Sequence, residues 1–238
     1  GGHLGVTGSC HQLKFDNGNS LLVDCGLFQG EDARRHPDLE IGFSLDGIRS
    51  LILTHVHIDH VGRLPYLLAA GFRGEIYCSR PTAELLPLVL EDALKIGFTR
   101  NMRLIHSFQQ KFSNYLRPLD YAQWTNIHDD VRIQLHPAGH ILGSAYVDIE
   151  VDGRRAVFSG DLGAPHAPLL NPAASPERAD LLVLESTYGD SVHEDRSQRR
   201  DRLETILRRT LDNKGITIIP AFSLGRTQEL LFEMNGIF

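Results

Sequence analysis

The chain has 238 residues, 42% of them hydrophobic and 23% charged, which is ample for a buried globular core. No apolar run approaches the roughly 20 residues of a membrane span, and the net charge of −6 excludes a globally basic nucleic-acid binder. Three dispersed cysteines give no disulfide framework and no paired-cysteine zinc motif, which points to a reducing, cytoplasmic setting. Twelve histidines are the informative count, because histidine is the commonest metal ligand.

In chain order, Cys10 to Phe15 and Ser20 to Asp24 read as a hairpin around the turn Asp16-Asn17-Gly18-Asn19. Ser50 to Thr54 is a short buried strand, followed by a helix over Arg63 to Ala70 that stops at Gly71. Glu75 to Cys78 is a strand, and Pro81 to Ile96 has helical period with proline in its first turn. Asn101 to Asn126 reads as helical pieces. Val131 to Leu135 is a strand, and Asp152-Gly153 turns a hairpin between Ala145–Val151 and Arg154–Ser159. Leu181 to Leu184 is a buried strand; a helix over Arg196 to Asn213, a strand over Ile216 to Ile219 and a helix over Gly225 to Met234 follow. Interleaved strands and helices give an α/β or layered α+β class.

The chemistry concentrates in His55-Val56-His57-Ile58-Asp59-His60, directly after a buried strand, where α/β proteins place their sites. Four ligand-type side chains in six residues are costly to bury without a metal or full hydrogen bonding. His140 and Asp161 each follow a later strand beside glycine and extend a histidine–carboxylate inventory suited to zinc. Asp24, at the end of the hairpin's return strand, is a candidate to orient a ligand histidine from behind. His3 and His11 lie near the start, with His11 read as buried beside the site rather than as a ligand, and His106, His128, His136, His166 and His193 lack such context. Trp124, Tyr115 and Tyr121 are read as packing residues rather than base-stacking ones.

This pattern of His55, His57, Asp59, His60, His140 and Asp161 resembles the metallo-β-lactamase superfamily. The resemblance implies a four-layer αββα sandwich with two Zn²⁺ ions: His55, His57 and His140 on one, Asp59 and His60 on the other, and Asp161 bridging. Val6 to His11, Asp24 to Gly30, Leu184 to Asp190 and Pro220 to Leu230 are similar to the β-CASP RNA-processing nucleases, closest to the endonuclease subunit of the cleavage-and-polyadenylation machinery and its bacterial and archaeal relatives. That implies a single-stranded RNA substrate, cleavage of phosphodiester bonds by a metal-activated hydroxide, and no membrane partner; a homodimer stays open. Asp59, Asp161 and Glu185 then carry catalysis, with Glu185 paired to a general-acid histidine. Ser223 and Arg226 are candidates for RNA phosphate at a helix start, against an ion-pair role for Arg226. The arginines of 196–209 are read mainly as a solvated face.

The resemblance divides the chain into residues 1–189, a metallo-β-lactamase domain without its first strand, and 190–238, the start of a β-CASP domain. The general-acid histidine and a last metal ligand are expected after Phe238, in a longer protein, with the second metal weakly held in this piece. Two other readings stay open: a small-molecule thioester or lactone hydrolase, and a metal-free scaffold.

Overall fold

The computed structural model describes residues 5–36, 39–97, 99–128, 130–193 and 195–238. His3 of the histidine inventory lies outside them. β1 (His11–Lys14) and β2 (Ser20–Val23) pair antiparallel as the turn chemistry predicts. Gly18 takes φ +82°, and Asn19 N–H donates to the Asn17 side chain, closing the turn. A short helix α1 (Gly30–Arg35), unsignalled by periodicity, precedes β3 (Ile48–Ile52). The next helical stretch is split into α2 (Ile58–Val61) and α3 (Leu64–Ala69). β4 (Glu75–Ser79) leads into α4 (Arg80–Gly97), and α5 (Met102–Ser113) is capped by the Asn101 side chain.

Beyond α5 the expectation of helix fails. β5 (Leu116–Leu119) and β6 (Thr125–His128) are strands. Pro118 removes a donor, which is tolerated because β5 is the edge of its sheet. β7 (Val131–Pro137), β8 (Ala145–Val151), β9 (Arg154–Phe158) and β10 (Leu181–Val183) follow, then α6 (Arg199–Asp212) and α7 (Arg226–Asn235). The strand expected at Ile216–Ile219 does not form. Ile216 and Ile218 are 89% and 87% exposed, and no described strand offers them a ladder.

The strands make two five-stranded sheets, β1-β2-β3-β4-β5 and β10-β9-β8-β7-β6. β2 is buried on both faces, and its alternation assigns each one. Leu21 and Val23 join Ile133, Leu135, Val147, Ile149 and Phe158 between the sheets. Leu22, with Leu51, Leu53 and Ile76, packs under Leu64, Leu67, Leu86, Leu90 and Phe112 of the helices. α4 makes its contacts on β4 and β5 of the first sheet. The second sheet turns a polar face outward, where Arg132 pairs with Glu150 at 2.6 Å and Arg132 and Arg155 lie over the Trp124 ring. Helix, sheet and sheet are the layers of the expected sandwich visible among the described residues. No helix of the described residues is long and apolar enough to cross a membrane.

Candidate metal centre

β2, β3, β4 and β5 run parallel, and β7, β9 and β10 share one direction through β8. Asp24, His55, His140, Asp161 and Glu185 each follow the C-terminal end of one of these strands. The two sheets present those ends to one shared edge, so residues more than a hundred positions apart meet. Close backbone approach is built in at Gly26, where a Cβ would fall 1.5 Å from the Asp59 carbonyl oxygen.

His55 Nε2 and His140 Nε2 each lie 3.1 Å from His57 Nδ1. With Asp161 these groups offer four donor atoms within 4.8 Å of one another. Asp161 Oδ2 is 3.7 Å from His55 Nε2 and 3.5 Å from His140 Nε2, while its Oδ1 is 3.2 Å from His60 Nε2. His60 Nε2 is 3.8 Å from Asp59 Oδ2. The six expected residues therefore converge, with Asp161 between the His55–His57–His140 group and the Asp59–His60 pair.

Behind them, His60 Nδ1 donates to Asp24 Oδ2 at 2.7 Å. Asp24 Oδ1 accepts from Thr54 N–H at 2.8 Å, and its Oδ2 accepts from the Thr54 hydroxyl, also at 2.8 Å. Asp24 itself sits at φ +61°, a left-handed conformation that a short polar side chain tolerates. Glu185 Oε1 accepts from Leu162 N–H and its Oε2 from Thr187 N–H, both at 3.1 Å, so its carboxylate grips the residue next to Asp161.

Burial pushes His55, His57 and His140 below the ordinary imidazole range and keeps them neutral, the form that ligates metal. Burial also raises Asp59. For His60 burial is outweighed by the Asp24 charge and by hydrogen bonds to Asp161 and Asp24, which lift it to about 10. Burial of Asp161 is likewise outweighed by His60, and its carboxyl is held low. A neutral imidazole has one N–H, so ring nitrogens meeting at 3.1 Å about His57 Nδ1 cannot all satisfy one another. A divalent cation accepts those lone pairs, and the residues present fit one.

The more speculative site residues fare differently. Arg226 pairs with Glu229 at 2.8 Å, although its charge still reaches His140. The Ser223 carbonyl accepts from the Gln228 side chain. On α6, Arg199 pairs with Glu233 and Arg208 with Glu204, as a solvated, ion-paired face would. The Tyr121 hydroxyl donates to Ser144 O, and Tyr115 packs on the core, in the structural roles expected of them. The sequence carries no sign of the partners of Thr54, or of the Ser159 hydroxyl, which accepts from Glu185 N–H at 2.9 Å. A polar residue closing an apolar strand just before the histidines was the available signal for Thr54.

Among curated proteins, the chain is 41% identical over 236 residues to "Ribonuclease TTHA0252" of Thermus thermophilus, covering 96% of this chain and 52% of that protein. It is 39% identical over 247 residues to "Transcription termination factor FttA" of Methanothermobacter thermautotrophicus, covering 99% of this chain and 38% of that one. It is 32% identical over 240 residues to "Endoribonuclease YSH1" of Yarrowia lipolytica, covering 99% and 29%. The chain thus spans about half or less of the length of these relatives. The family described as "Metallo-beta-lactamase superfamily" matches residues 6–214, which take in every member of the convergent cluster, and the chain belongs to that superfamily.

Proposed function

We propose that this chain is the metal-binding part of a zinc-dependent hydrolase that cleaves phosphodiester bonds of single-stranded RNA, as an endonuclease of the β-CASP group. Three imidazole nitrogens and a carboxylate oxygen are the donor chemistry zinc favours. His55, His57 and His140 would hold one ion and Asp59 and His60 a second, with Asp161 in reach of either. The observation that carries the reading is Asp161, whose two oxygens face the two groups of ligands separately. A bound metal pair would supply Lewis acidity toward water and toward a phosphoryl oxygen.

The chain's own residues do the rest. Asp24 holds His60 through Nδ1 and leaves Nε2 aimed at Asp161. Glu185 fixes the backbone at Leu162 and so the reach of Asp161, and pairs in the longer protein with the general acid. Arg226, whose charge reaches His140 while it pairs with Glu229, and Ser223 are the candidates for contact with RNA phosphate near the start of α7. Residues 1–189 form the metallo-β-lactamase domain and 190–238 open the β-CASP domain. One chain brings His55, His57, His140 and Asp161 together without a residue from a second copy. Its three free cysteines suit a reducing cytoplasm.

RNA rather than a small ester is supported by the relatives' names, ribonuclease and endoribonuclease. The test is a labelled single-stranded RNA and a glutathione thioester offered to the longer protein containing this chain, with and without chelator. Chelator-sensitive RNA cleavage is expected; thioester turnover without RNA cleavage would overturn the reading.

A further inference from the structure

We propose that Thr54 is a positioning residue through which one carboxylate, Asp24, sets the ring orientation of histidines in both halves of the centre, and the tautomer of His55. The inference rests on the metal-centre reading above. Thr54 is buried, and its hydroxyl stands 2.8 Å from Asp24 Oδ2, 3.1 Å from His55 Nδ1 and 3.4 Å from His60 Nδ1. A hydroxyl has one proton and two lone pairs. The carboxylate oxygen takes that proton, so toward His55 the hydroxyl accepts. His55 Nδ1 therefore carries the ring proton, and Nε2 presents its lone pair to His57 and Asp161.

His60 donates from Nδ1 to the same Asp24 oxygen and turns Nε2 to the other Asp161 oxygen. One carboxylate thus governs a ring in each group, directly for His60 and through a hydroxyl relay for His55. The relay is anchored at the backbone. Thr54 N–H donates to Asp24 Oδ1, and Thr54 C=O accepts from Ala145 N–H, which ties the first sheet to the second. Gly160 leaves the room for it, since a Cβ there would fall 2.7 Å from Thr54 Cβ.

The test uses Thr54→Val, which keeps the shape, and Thr54→Ser, which keeps the hydroxyl. Zn²⁺ affinity is measured by chelator competition, and the His55 tautomer by two-bond ¹H–¹⁵N spectra of the metal-free chain. Expected are an Nδ1–H tautomer for His55 in the wild type and its loss in Thr54→Val. Zinc affinity should fall about 10–100-fold in that variant and be restored by serine. An Nε2–H tautomer in the wild type overturns the proposal, whether or not Thr54→Val folds. So does wild-type zinc affinity in Thr54→Val, or an equal loss in both variants, which would mark a packing role. Failure of the wild type to take up zinc would instead strike the metal-centre reading, with the tautomer still deciding the relay.

Discussion

The strand-end cluster and the segment from Asp190 to Phe238 are built by opposite means. At the cluster, His55 and His60 are 0% and 4% exposed, and each ring nitrogen of His60 faces a carboxylate. In the later segment Ile216, Ile218 and Phe222 stand open to solvent, and the half-buried Arg199–Glu233 pair joins α6 to α7. Ligand positions are therefore over-determined by two sheets and a hydrogen-bond relay, whereas among the described residues of the later segment Leu207 alone is buried. Rigid placement is what a metal centre needs, because ligand geometry decides affinity.

Substitutions can break this contrast in order of size. Asp161→Ala removes the group between the two ligand sets and should cost more than about a hundredfold in RNA cleavage by the longer protein, since metal polarisation is worth several kcal/mol. Near wild-type turnover in that variant would remove Asp161 from the reading. Leu51→Ala, at a side chain with no exposure beneath the helices, should destabilise by about 2–5 kcal/mol in a urea titration. Asp24→Asn keeps the shape and tolerates the left-handed backbone, but weakens the hold on His60; zinc affinity should fall about 10–100-fold by chelator competition. Ile216→Ala, 89% exposed before substitution, should change stability by no more than about 0.5 kcal/mol. A cost like that of Leu51→Ala would erase the distinction between the regions.

Acidity sharpens the same comparison. His60 is lifted from its ordinary 6.5 to about 10 in the folded, metal-free chain. The stabilisation it brings is complete below about 6.5 and is lost as pH rises through about 10, because the folded state holds the extra proton in between. With chelator present, the unfolding midpoint of the wild type should fall between pH 7 and 10 more steeply than that of His60→Gln. Parallel curves would show that the Asp24 and Asp161 contacts do not hold the proton.

Much of this centre was legible because four of its side chains fall within six consecutive residues. The spacing of His55, His57, Asp59 and His60 after an apolar strand needs no tertiary information. Asp24, His140 and Asp161 could be read because each closes a strand beside or near glycine. The partners of Thr54 and the backbone grip of Glu185 could not, since a hydroxyl or carboxylate reveals its partner only once the strands that carry both are paired side by side. β5 hid behind Pro118, which reads as a break and is harmless on an edge. Ile216 to Ile219 misled in the other direction: β propensity without a neighbouring ladder makes no strand.

Where divalent metal binds is the most direct test of the two-group centre. In crystals of the chain grown with zinc, an anomalous difference map should place one peak among His55 Nε2, His57 Nδ1, His140 Nε2 and Asp161 Oδ2, and a second, weaker one beside His60 Nε2, Asp59 and Asp161 Oδ1. A map with no peak at the His55–His57–His140 group, or with zinc held only elsewhere on the surface, would contradict it.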